Sequence, residues 1–206
     1  PGVIPDIPRV TELASKHSIP VHSDAVAAFG HVPINFAESG LTAMSLSGHK
    51  VGAPIGVGAL VVARSAKPAS LGHGGGQERS LRSGTMNYSM AASFAAAAGE
   101  AVAELGKEMT RVASLRQKLE QAVAQIVPDV IFTSADAERA SYNSHMILPG
   151  TQSDALLFLL DQQGVCVSAG SACQAGVLGP SHVLIGMGYT QQEASACIRV
   201  TLGSTT

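Results

Sequence analysis

The chain has 206 residues, 46% of them hydrophobic and 14% charged, a composition that builds a core and argues against intrinsic disorder. Its 13 basic and 15 acidic residues leave a net charge of −2 with no basic stripe or acidic tail, so nothing points to a nucleic-acid surface. No apolar run reaches the roughly 18 residues of a membrane span. Three scattered cysteines without a C-x-x-C pair speak against a disulfide framework or zinc site and for a reducing, cytoplasmic setting.

The opening Pro1-Gly2-Val3-Ile4-Pro5 lacks the pattern of a signal peptide. Residues 6–17 place Ile7, Val10, Leu13 and Ala14 at helical spacing, and Pro20 follows the helix end. A short strand is expected over 20–22, stopping at Asp24. Residues 43–46 and 58–63 read as buried strands, because short apolar runs are closed by Gly, Ser or Arg. Residues 65–84, with Pro68 and five glycines, read as a long loop, which inside a compact domain is usually functional. A helix follows over about 89–124, with Phe94, Val102, Leu105, Val112, Leu115 and Leu119 apolar, interrupted by Gly99 and Gly106. After Pro128, strand-like segments (130–133, 144–148, 165–167, 198–202) alternate with helical ones (153–163, 181–187, 191–196). The expected architecture is α/β, with a mainly parallel sheet flanked by helices over 1–104 and a small α+β domain over 105–206.

Ser47-Gly48-His49-Lys50 closes the apolar strand 43–46 and leads into a glycine-rich turn. A lysine at a buried strand end is costly unless its amine is used, and Schiff-base formation with an aldehyde cofactor is one such use; a lysine reaching solvent from the strand end is the plainer role. Ser47 and His49 offer donors for a phosphate beside it. Asp24 ends the neighbouring strand, where its carboxylate can accept from a pyridine N–H, keep that nitrogen protonated and so make the ring an electron sink. An N-cap for residues 25–29 is the plainer role for that Asp. Both roles are compatible if the carboxylate has two partners.

His22-x-Asp24-Ala25, Ser47-Gly48-His49-Lys50, and Gly74-Gly75-Gly76-x-Glu78-Arg79-x-x-Arg82-Ser83-Gly84-Thr85 together resemble the cysteine desulfurases of the class V aminotransferase superfamily, in order and nearly in spacing. The resemblance implies the pyridoxal-phosphate (PLP) fold type I. Lys50 would then be the Schiff-base lysine and Asp24 the pyridine-nitrogen partner, with Ser47 and His49 as phosphate ligands. Thr85 would bind the phosphate of a partner subunit's cofactor, which makes the expected assembly a homodimer with its active site at the interface. In one departure, the glutamine that the family places three residues after the aspartate is Ala27 here.

Gly170-Ser171-Ala172-Cys173 sits in a run of small residues that reads as an exposed, mobile loop. It is similar to the catalytic loop of the desulfurase branch with the longer cysteine segment. That likeness implies that Cys173 takes sulfur from L-cysteine as a persulfide, leaves L-alanine, and passes the sulfur to an acceptor such as an iron–sulfur scaffold. In residues 197–202, Ile198, Val200 and Leu202 share one strand face, so Arg199 points the other way with Cys197 and Thr201. Its guanidinium suits the substrate carboxylate, the role the family gives an arginine here. Cys166 and Cys197 fall in strand patterns and read as structural. His31, His73, His145 and His182 lack metal-ligand spacing and read as loop or surface residues.

Family subunits are about twice as long as this chain. The missing half would carry the histidine that stacks on the PLP ring, so a truncated piece with weak or absent PLP binding is the expectation. Two other readings stay open: another class V enzyme (a selenocysteine lyase or an aminotransferase), and a non-catalytic fragment that binds a sulfur acceptor. The Cys173 loop argues against the aminotransferase.

Overall fold

The computed structural model describes residues 1–70, 72–170 and 179–206. It divides into two compact units, one of Pro5–Gly106 and one of Pro1–Ile4 with Lys107–Thr206. Among the described residues the strands form two three-stranded sheets, one in each unit. The architecture is α/β, with a mixed sheet in the first unit and an α+β arrangement around an antiparallel sheet in the second.

The first unit opens with helix α1 (Ile7–Ser15), capped by Asp6, whose side chain accepts from the Arg9 N–H. Strands β1 (His22–Asp24), β2 (Ala43–Ser47) and β3 (Gly58–Val62) follow. β1 runs parallel to β2 and β3 runs antiparallel to it. Alternation along these strands splits the sheet into two faces. Met44, Leu46 and Val61 pack with Ala25, Leu41, Ile7, Val21, Ala28 and Phe36 as the unit's core. The register places His22, Asp24, Ser45, Ser47 and Leu60 on the opposite face, where His22 and Asp24 are exposed and Leu60 retains 55% of its accessible surface.

Two expectations shift here. The first strand begins at His22 and runs through Asp24, because its pairing with β2 extends to Asp24–Ser45. Residues 26–31 form turns, stitched by Phe29 N–H to Ala25 O and Val32 N–H to Ala28 O, both 2.9 Å.

Helix α2 (Tyr88–Ile126) is continuous for 39 residues, with its first part in one unit and its remainder in the other. Asn87 starts it by accepting from the Met90 N–H at 3.2 Å.

The second unit contains β4 (Ile131–Phe132), β5 (Asn143–Ile147), helices α3 (Ser153–Gln162), α4 (His182–Gly186) and α5 (Gln191–Ala194), and β6 (Cys197–Thr201). Its sheet is antiparallel in the order β4-β5-β6. One face carries Met146, Ile198 and Val200 against Leu119 and Val123 of α2 and Leu156 and Leu160 of α3. The other carries Ile147 and Cys197 against Leu184 and Ala194. The expected strand over 165–167 is absent, and only Ser168 bridges to Arg199. Cys166 is accordingly exposed instead of packed, while Cys197 is buried as expected. Residues 1–4 join this unit through Ile4 N–H to Glu138 O and Ala140 N–H to Gly2 O, each 2.9 Å. Sequence alone had grouped them with 5–104.

Candidate active site

Parallel β1 and β2 end at the same sheet edge, the edge where open α/β sheets place their ligands. Asp24 ends β1 opposite Ser45, and Ser47 ends β2 two positions further on the same face. One turn of 3-10 helix, Gly48–Val51, then presents His49 and Lys50. Both side chains are exposed. Lys50 is therefore lifted past the strand end into solvent. Gly48 makes the turn possible: a Cβ there would lie 2.8 Å from Val57 Cγ1 and 3.1 Å from Ala53 Cβ. Its N–H is held by Val57 O at 2.9 Å.

Hydrogen bonds order this edge. Asp24 Oδ1 accepts from the Val26 N–H at 2.9 Å, so the local turn role is real, and Oδ2 has no partner among the described residues. Ser47 Oγ and His49 Nδ1 lie 2.8 Å apart and fix each other. His22 Nε2 and Ser45 Oγ form a second pair at 2.8 Å. Sequence missed His31, whose Nε2 donates to the Lys50 carbonyl at 3.1 Å. Its turn also holds Gly30, where a Cβ would lie 2.6 Å from Val51 Cγ1. The turn after Asp24 and the turn bearing Lys50 are thus locked together. No spacing rule announces a contact between residues 19 apart.

Thr85 lies at the end of the glycine-rich loop and is exposed. Arg82 Nη1 gathers the carbonyls of Ser83, Gly84 and Thr85 at 3.2, 3.3 and 3.5 Å. Earlier in that loop Glu78, Arg79 and Ser80 all have positive φ (46°, 56° and 64°), a costly backbone for side-chain-bearing residues.

In the second unit Arg199 sits mid-strand on the face shared with Cys197, as alternation predicts. Its backbone N–H and C=O both bond Ser168, at 2.6 and 3.0 Å, and His145 lies opposite it in the β5–β6 register. Arg199 Nε is buried and has no hydrogen-bond partner among the described residues. The residue as a whole is half-buried, and an unpaired buried donor is costly, a cost that an acceptor oxygen of an anion would relieve. Ser168 leads toward Cys173, which with Ser171 and Ala172 lies outside the described residues.

His145, expected at the surface, is 4% exposed. Burial above all, with the positive charge of Arg199 acting in the same sense, lowers its pKa to about 4. No group of acids, histidines and cysteines among the described residues is arranged to hold a metal, and no described helix is long and apolar enough to cross a membrane.

The aminotransferase class-V family model matches residues 1–206. The chain belongs to that family. It is 44% identical over 205 residues to an IscS-like cysteine desulfurase of Mycobacterium tuberculosis, covering 99% of this chain and 52% of that protein. It is 36% identical to the cysteine desulfurase NifS of Azotobacter vinelandii, over 98% of this chain and 50% of that one. A crystal structure of a NifS-like protein from Rickettsia africae superposes with a TM-score of 0.89 at 32% identity, covering 100% of this chain and 54% of the other. The chain spans about half the length of the curated relatives it matches. Membership in this PLP-dependent class agrees with the donor set at the sheet edge: an accessible amine, a carboxylate with a free oxygen, and a serine–histidine pair.

Proposed function

We propose that the protein carrying this chain is a cysteine desulfurase, converting L-cysteine to L-alanine and leaving the sulfur as a persulfide on Cys173. The observation that carries the reading is the set Asp24, Ser47, His49 and Lys50 at one sheet edge, in a chain 44% identical to a cysteine desulfurase. The donor set suits pyridoxal phosphate. Lys50 would hold it by its amine, Asp24 would face the ring nitrogen, and Ser47 and His49 would take the phosphate. Thr85 would bind the phosphate of a partner subunit's cofactor in a homodimer. When bound, the cofactor supplies an electron sink that weakens the substrate's Cβ–S bond.

The chain's own residues supply the rest. Arg199 pairs with the substrate α-carboxylate, giving its buried, unpaired Nε an acceptor through a charge-assisted bond. The Lys50 amine moves a proton at the substrate Cα. The Cys173 thiolate attacks the substrate sulfur as the Cβ–S bond breaks. The electron pair stays with carbon and Cβ takes up a proton, so alanine and a Cys173 persulfide result. A sulfur acceptor such as an iron–sulfur scaffold would then receive the outer sulfur.

The experiment is a full-length preparation incubated with L-cysteine, with alanine and protein-bound persulfide both quantified. Equal amounts of the two are expected in the first turnover, and Lys50→Ala should abolish both along with the cofactor's visible absorbance. Transfer of the amino group to a keto acid, without sulfur release, would instead make the protein an aminotransferase. A strong preference for selenocysteine would make it a lyase of that substrate.

A further inference from the structure

We propose that His145, held by Thr133, is a positioning residue that fixes the Arg199 guanidinium for carboxylate recognition. This rests on the reading of Arg199 given above and adds to it the device that aims the arginine. Three observations carry it. His145 and Arg199 are direct partners in the β5–β6 register, so their side chains rise from the same face of the sheet. Side chains of directly opposite residues stand about 4.5–5.5 Å apart at Cβ, which makes the imidazole a wall beside the arginine's stem. The wall is itself immobile. Thr133 is fully buried, its Oγ1 lies 2.9 Å from His145 Nδ1, and its N–H donates to His145 O at 3.0 Å.

Position and charge both matter here. Arg199's backbone is clamped between β5 and Ser168, so side-chain rotamers are the remaining freedom, and a long arginine has many. No described residue accepts from Arg199 Nε, so among the described residues no hydrogen bond at that nitrogen pins the head. Packing must do it, and the fixed imidazole is the cross-strand neighbour placed to do so. Burial keeps His145 uncharged at neutral pH, so the wall adds no competing cation beside the guanidinium and offers it no anion to satisfy it internally. An acid at the same position would pair with Arg199 and block the site.

The test uses the full-length protein and L-cysteine. Arg199→Gln should raise KM, and His145→Ala should raise it roughly tenfold while kcat stays within about twofold, the signature of lost binding rather than lost chemistry. Combined with Arg199→Gln, His145→Ala should add nothing further to KM, because a positioning residue has no effect once its client is gone. Thr133→Val should raise KM in the same sense, and Thr133→Ser, which keeps the hydroxyl, should restore it. An unchanged KM in His145→Ala overturns the inference, as does a KM effect that persists undiminished in the double variant. Should His145→Ala not fold, the Thr133 pair decides, and equal KM values for Val and Ser overturn it. If Arg199→Gln leaves KM unchanged, the carboxylate reading falls and the inference with it. If Arg199→Gln raises KM and His145→Ala does not, only the inference falls.

Discussion

Gly48 is the residue on which the lysine turn depends, and its role is steric. An added methyl would press on Val57 Cγ1, Ala53 Cβ and Val57 O, at 2.8, 3.1 and 3.2 Å. Gly48→Ala should therefore cost about 1–3 kcal/mol of stability, read as a lower urea midpoint, and should weaken cofactor retention because Lys50 shifts with the turn. His145 gives a pH prediction of definite sign. Its pKa falls from 6.5 to about 4 in the folded chain, so between those values the unfolded chain binds more protons. The stability contributed is complete above about pH 6.5 and is lost as pH falls toward 4. Unfolding measured at pH 7 and pH 5 should differ by at most about 2 kcal/mol from this group, and His145→Phe should remove that difference. Sequence made Gly48 legible, since it sits inside a recognisable motif. It could not make His31 or His145 legible, because each matters through a neighbour that only folding supplies.

Elements with strong periodicity were readable, and the weaker ones were decided by pairing. The long helix was expected over about 89–124 and spans Tyr88–Ile126, since its alanine-rich stretch favours helix at nearly every position. The segment 165–167 looked like a strand, but no described strand pairs along it and only Ser168 meets Arg199. A β-rich composition without a partner does not make a strand. Within α2, Gly99 and Gly106 are exposed and nothing described lies within 4 Å of an added Cβ at either position. Their cost is then mainly backbone entropy, and Gly99→Ala should stabilise the chain by roughly 0.5–1 kcal/mol, seen as a higher melting temperature. At the other extreme, Thr190 and Glu193 form a complete capping box at the start of α5. Thr190→Ala should cost about 1 kcal/mol, measurable by the same melting experiment.

Across the whole molecule, the proposed chemistry is divided between two units with separate cores, Asp24, Ser47, His49 and Lys50 in one and Arg199 in the other. The motifs of both were visible in sequence, because each is a short run with distinctive residue types. The backbone bonds that tie residues 1–4 to Glu138 and Ala140 were not visible, since backbone pairing leaves no residue signature. The division predicts that variants of the full-length protein sort by function. Lys50→Ala should lose the visible cofactor band, Arg199→Gln should keep the band and weaken L-cysteine binding, and Cys173→Ser should keep both yet accumulate no persulfide. The last arm is the most demanding, because Cys166 is an exposed thiol in the same unit and any accessible thiolate can in principle take sulfur. Mass spectrometry of the modified thiol separates the two. Persulfide confined to Cys173 in the parent and absent from Cys173→Ser supports the assignment, whereas persulfide on Cys166 at undiminished yield moves the acceptor to that residue.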